Sequence, residues 1–289
     1  MNSASCRISD TFNYFQSRSK LFNLKSNFSC FDQCRGRCCQ DKELLIKITV
    51  LDLISASLVT NLKPSEIYNR FCSLSLFSAR SSIPFQETYI RRLRIKLKMP
   101  CGFLKGKDCT IYPGRPIACA LFPEDRYTET LLEEKSWGYP CVSKPVRVSP
   151  ERKHYLLELT RISAEESLVS DFYLFGCSPF YITIEDQLEL INIAQELKEQ
   201  TKSSFKGEKK RYVVPQKAFE ILLEKYLQGS EFQKEIEEKI KRLDKIDGIE
   251  EVFRLKEVIL PLKDHPEFTR TVYLHEIDKN RKGFRLTGR

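Results

Sequence analysis

Residues 100–123 read Pro100-Cys101-Gly102-Phe103-Leu104-Lys105-Gly106-Lys107-Asp108-Cys109-Thr110-Ile111-Tyr112-Pro113-Gly114-Arg115-Pro116-Ile117-Ala118-Cys119-Ala120-Leu121-Phe122-Pro123. Two short apolar runs between Phe103 and Tyr112 flank Gly106-Lys107-Asp108, turn chemistry that predicts a hairpin and brings Cys101 and Cys109 together. Pro113-Gly114 turns the chain again. Pro116 suits the first position of a short helix carrying Cys119, and Pro123 helps to stop it. Short strands and helices around three converging thiols predict an α+β fold.

A second cluster lies upstream: Cys30-Phe31-Asp32-Gln33-Cys34-Arg35-Gly36-Arg37-Cys38-Cys39. On one helix, Cys30, Cys34 and Cys38 step by four residues and drift only about 40° each along a face. Cys39 then sits about 100° from Cys38, so either the helix breaks near Gly36 or Cys39 serves a second site. The run is neither the C-x3-C-x2-C of radical enzymes nor the C-x2-C-x2-C-x3-C of ferredoxins. The chain holds 11 cysteines. The count is odd, Cys38 and Cys39 are adjacent, and Met1 to Ser29 contains no apolar run of a secretory signal, so disulfides are disfavoured and reduced thiols in a cytoplasmic setting are expected. Thiolates are soft donors that select zinc or iron–sulfur.

Between the clusters, Glu43 to Ile48 reads as a short strand. Thr49 precedes Asp52 by the spacing of a capping box, which opens a helix through Leu53, Ile54 and Leu58 and makes Asp52 a cap rather than a catalyst. Pro64 to Phe71 predicts a second helix, with Cys72 as a small buried residue at its end. After about Val146 the pattern is charged and helical. Ser149-Pro150 reads as an N-cap with proline at the first helical position, and Ser163 to Glu166 repeats the capping spacing. Apolar stripes follow at Leu190, Ile193, Ala194 and Leu197 behind Thr183 and Asp186, at Ala218, Ile221, Leu222 and Tyr226 behind Pro215, and at Phe232, Ile236, Ile240 and Leu243. Thr201 to Arg211 reads as an exposed connection.

These shifts divide the 289 residues into a flexible N-terminal extension, 1–29, a cysteine-cluster domain, 30–145, a mainly α-helical extension, 146–278, and a basic tail, 279–289. Lys279, Arg281, Lys282, Arg285 and Arg289 carry more than half of the net charge of +9. The rest of the chain therefore offers little general attraction to a polyanion. The longest apolar candidate, Leu44 to Val59, is interrupted by Lys47 and Asp52, which excludes a membrane span there. Only His154, His265 and His275 are present, all outside the cysteine-rich part, and there is no glycine-rich phosphate loop, so hydrolase and kinase chemistry receive no support.

The segment from about Cys30 to Cys141 resembles the YkgJ-like cysteine-cluster family, described as zinc- or iron-chelating domains. The resemblance is carried by Cys38-Cys39, Asp52, Cys101, Phe103-Leu104, Cys109, Ile111-Tyr112, Arg115-Pro116, Cys119 and Phe122-Pro123. The first cluster is more widely spaced than is usual for the family, and Ala120 stands where arginine is common. The resemblance implies a metal-binding function with Cys30, Cys34, Cys38, Cys39, Cys101, Cys109, Cys119 and Cys141 as ligands, and Cys6, Cys72 and Cys177 outside the set. Eight thiolates would satisfy two tetrahedral zinc sites, or four would hold a [4Fe-4S] cluster. Arg115 is expected beside the sulfurs, where it offsets the negative charge of a thiolate site.

Two rivals remain. An iron–sulfur-dependent protein-modifying or redox enzyme is suggested by a related cysteine cluster in a flagellin lysine methylase. A zinc-dependent nucleic-acid module is suggested by the basic stretch 279–289 with Phe284 interleaved. No reaction, protein partner or oligomeric state is legible.

Overall fold

The Thr49 hydroxyl accepts the Asp52 N–H at 3.1 Å while the Asp52 carboxylate accepts the Thr49 N–H at 2.9 Å, a reciprocal capping box that starts a helix at Val50. In the computed structural model, which describes residues 3–29, 32, 36–42, 44–79, 90–124, 141, 147–176, 181–182, 229–264, 273–278 and 283–288, that helix is the third α-helix among the described residues. The fold is α+β. In order, the elements are α1 (Ser3–Asn23), α2 (Arg37–Gln40), β1 (Lys47–Ile48), α3 (Val50–Thr60), α4 (Pro64–Phe71), β2 (Cys72–Ala79), β3 (Ile90–Leu97), β4 (Leu104–Lys105), β5 (Asp108–Cys109), a 3-10 turn (Tyr112–Gly114), α5 (Ile117–Leu121), α6 (Pro150–Phe175), β6 (Tyr181–Ile182), α7 (Glu231–Arg242), α8 (Ile246–Ile259), a second 3-10 turn (Leu260–Leu262), β7 (Tyr273–Asp278) and β8 (Gly283–Gly288).

Two compact units divide the chain. The first comprises residues 1–73, 95–170 and 240–257. Its core joins Phe22 of α1 to Ile117, Ala120 and Leu121 of α5 and to Leu156, Leu159 and Ile162 of α6. Pro64 opens α4 where its missing N–H costs nothing, and the Asp244 carboxylate accepts the Ser65 N–H at 3.0 Å and the Ser65 hydroxyl at 2.6 Å. Ser149 caps α6, its hydroxyl accepting the Arg152 N–H at 3.1 Å. Cys72 is buried at the end of α4, as its apolar context predicts.

The second unit comprises residues 74–94, 171–239 and 258–289. Here β6 runs parallel to β7, with Tyr181 opposite Leu274, and β8 pairs antiparallel to β7, with Tyr273 opposite Gly288. Arg94 pairs with Asp171 at 2.9 Å, and the rings of Phe175 and Phe232 stack with centroids 6.3 Å apart. The Lys239 ammonium donates to the Leu174 carbonyl at 2.9 Å. No helix among the described residues is long and apolar enough to cross a membrane.

Several expectations change. Within the expected N-terminal extension, α1 buries Phe15, Arg18 and Phe22, whose spacing along one helical face gives it a side to pack. Of the strand expected over Glu43 to Ile48, the described part is Lys47–Ile48, which pairs with Lys96 and Ile95 of β3, and the Leu97 N–H donates to the Ile46 carbonyl at 3.0 Å. Ser163 starts no new helix, since α6 runs unbroken past it and Glu166 turns inward instead of capping. The stretch 279–289 contains β8, whose alternation of Phe284 and Leu286 with Arg285 and Thr287 has strand period. The units also cross the boundary that composition places near residue 145. Of the stripe at Phe232, Ile236, Ile240 and Leu243, the last three are buried, Ile236 and Ile240 on α7 and Leu243 just past its end, whereas the stripes at 190–197 and 218–226 and the connection 201–211 lie outside the described residues.

Candidate metal centre

Gly36, immediately before α2, has φ 67°, a left-handed conformation open to glycine without strain. Its Cα faces Leu104, where an added Cβ would stand 3.0 Å from the Leu104 side chain. Cys38 and Cys39 lie on the short helix that follows it. Behind them, the Cys101 N–H donates to the Cys39 carbonyl at 2.7 Å, fastening the first cluster to the second. Gly102 leaves room for the Phe71 ring, which would meet a Cβ at 2.6 Å, and Phe71 packs on Phe103 with centroids 4.2 Å apart.

The hairpin forms where its turn residues place it: Leu104 opposes Cys109, Lys105 opposes Asp108, and Gly106 takes the left-handed position at φ 62°. The chain then presses against α3. Gly114 lies so close to it that a Cβ would be 2.6 Å from the Ser55 carbonyl oxygen. Pro116 follows in extended conformation, and α5 begins at Ile117, with the Cys119 N–H donating to the Pro116 carbonyl at 2.9 Å.

This path brings together Cys39, Cys101, Cys109 and Cys119. Cys101 shares a side-chain hydrogen bond with Cys39, and that bond together with burial raises its pKa far above the ordinary thiol range, with Cys119 adding to the rise. Burial raises Cys119 well above that range too, and Cys39 and Cys109 add to it. Burial also raises Cys109, with Cys39 adding to it, while the Ile111 N–H and Arg115 pull it back. Four thiols from three chain segments thus act on one another electrostatically. Cys38 is half-buried on α2 and Cys141 is buried, while Cys30 and Cys34 lie outside the described residues.

Arg115 is buried, stacked over the Tyr112 ring at 3.8 Å and 5.1 Å from the Phe22 centroid. It donates to the Tyr112 carbonyl at 2.8 Å and to Asn23 Oδ1 at 2.9 Å. Its charge lowers the pKa of both Cys109 and Cys119, the influence expected of a cation beside thiolates.

Behind Cys119 lies a buried ionic network that the sequence does not announce. Arg18 pairs with Asp52 and, through Nε, with Glu166 at 2.8 Å; Tyr14 donates to Glu166 at 2.7 Å. Burial opposes the charge on Arg18, but Glu166 and Asp52 outweigh it and hold the guanidinium protonated. Asp52 Oδ1 also accepts the Ile117 N–H at 3.2 Å, at the first residue of α5. Asp52 is therefore the cap that its spacing predicts and, in addition, a tie between two helices. A signal for Glu166 did exist: it interrupts the apolar face of Leu159, Ile162 and Val169, a carboxylate where a core residue is due. Arg18 hides the same way between Phe15 and Phe22.

Among the described residues no group of three or more His, Cys, Asp or Glu side chains is already arranged to hold a metal ion. The four thiols nevertheless fit a soft ion in their chemistry: the donor set is all sulfur, it is gathered from α2, the β4–β5 hairpin with the turn leading into it, and α5, and a buried cation stands beside it. Binding calls for the side chains to draw together and lose their protons. Residues 29–140 match the family model CxxCxxCC, described as "Putative zinc- or iron-chelating domain". Nothing matches among the curated proteins or among the solved structures.

Proposed function

We propose that this protein chelates zinc through the thiolates of Cys39, Cys101, Cys109 and Cys119. The observation that carries the reading is the mutual electrostatic influence of these thiols, drawn from three segments of the chain. Zinc takes four sulfurs tetrahedrally in closed structural sites, and four thiolates around it leave a formal charge of about −2. Arg115 offsets that charge from its place between Tyr112 and Phe22. A reducing, cytoplasmic setting keeps such thiols available.

Metal analysis and a visible spectrum of protein purified without oxygen test the proposal. One zinc per chain and no colour are expected. A second zinc would enlist Cys30, Cys34, Cys38 and Cys141. Iron with acid-labile sulfide and visible absorption would replace the zinc reading with an iron–sulfur centre and favour redox or protein-modifying chemistry. Within the zinc reading, Cys109→Ser releases the ion and lowers the melting temperature, because binding at a structural site is coupled to folding. Full retention of metal by that variant would remove Cys109 from the ligand set.

A further inference from the structure

We infer that Asp52 is a positioning residue for the fourth ligand: by accepting the Ile117 N–H it sets the start of the helix that presents Cys119, and Arg18 of α1, outside the chelating domain, holds it there. This rests on the four-thiol reading above. Cys119 is the only one of the four thiols carried by α5, and it lies two residues after Ile117, so the direction of its Cα–Cβ bond follows that helix's first turn. That turn has only five helical residues and too few internal hydrogen bonds to fix its own orientation.

Asp52 supplies the external reference. One oxygen accepts the Ile117 N–H at 3.2 Å and pairs with Arg18; the other accepts the Thr49 N–H at 2.9 Å and meets the Thr49 hydroxyl at 3.1 Å. Asp52, Arg18 and Glu166 are all buried, and Arg18 is held by α6 through Glu166 as well. The same face of α1 reaches the thiols by a second route. Phe22 lies between the Arg18 and Arg115 guanidinium groups, at 5.3 Å and 5.1 Å, and Asn23 accepts from Arg115. Both routes start outside the matched segment 29–140.

Cobalt(II) is the probe, since its thiolate charge-transfer band reports how many sulfurs bind. In the full chain, Asp52→Ala is expected to weaken cobalt affinity roughly 10- to 100-fold, the usual effect of removing a residue that orients a ligand. The band should fall from the four-thiolate to the three-thiolate level, and adding Cys119→Ser should lower it no further. Ile117→Pro removes the same bond from its other end and serves if Asp52→Ala does not fold. Proline suits a first helical position, and Pro116 already has the extended backbone (φ −53°, ψ 144°) that a following proline requires. Ser65→Ala, which loosens the tie of α4 to Asp244 and touches none of these groups, should lower stability and leave the band intact. A four-thiolate band of full affinity in Asp52→Ala or Ile117→Pro would overturn the positioning role. A wild-type protein with no thiolate band would overturn the chelation reading itself, and this inference with it.

Discussion

A buried thiol resists ionisation because its thiolate loses the hydration that stabilises it in water. Burial raises the pKa of Cys119 and Cys109 above the ordinary 9, and the Cys39 hydrogen bond followed by burial does the same for Cys101. Their protonated forms are thus favoured by the folded, metal-free protein. The stability they contribute is complete below about pH 9 and is lost as pH rises through the folded values. The melting temperature of the metal-free protein should therefore fall as pH is raised above about 9. The metal-loaded protein should hold a flatter profile, its thiolates being already formed and coordinated. A metal-free profile that stays level to pH 10.5 would contradict this account. At this scale the cysteines were legible from their clustering alone. Which four of them meet was not, because that depends on the left-handed backbone at Gly36 and on the bond between the Cys101 N–H and the Cys39 carbonyl.

Helix ends reward a polar cap only where backbone N–H groups lack partners, which distinguishes two serines with similar sequence surroundings. Ser149 accepts the Arg152 N–H at the start of α6, whereas Ser163 sits inside the same helix, where N–H groups bond within the turn ladder. Ser149→Ala should cost about 1 kcal/mol, and Ser163→Ala should stay within about 0.5 kcal/mol of wild type, both read from urea denaturation midpoints. Equal losses would mean that Ser163 has a role of its own. Local chemistry made α3, α4, the β4–β5 hairpin and α5 readable, since each carries its own cap, proline or turn residues. The second capping signal failed because Glu166 is taken by Tyr14 and Arg18, partners more than a hundred residues away in sequence.

The matched segment 29–140 does not contain its own supports. Arg18, which neutralises Asp52, comes from α1, and Glu166, which shares Arg18, comes from α6. Arg18→Ala leaves two buried carboxylates without their cation and should destabilise the first unit by about 3–5 kcal/mol, measured by thermal or urea unfolding. A fragment limited to residues 29–140 should accordingly lack cooperative unfolding, while one spanning 1–170 together with 240–257 keeps every partner named here. A sharp transition in the short fragment would show that the buried ions are dispensable. Composition could not reveal this organisation. It separates cysteine-rich from charged sequence at residue 145, but the packing follows Arg18, Phe22 and Glu166, single residues that leave no mark on an average. The last of the partners has a consequence in time. Arg152 of α6 donates to the carbonyls of Leu21, Phe22 and Leu24 at the end of α1 and pairs with Glu124 at 2.7 Å. Arg152 and Glu166 are synthesised after Cys39, Cys101, Cys109 and Cys119, so every growing polypeptide carries these thiols uncovered for some seconds at about 5–20 residues per second. Oxidants and competing ions meet the nascent chain before its own N-terminal helix can be locked over it.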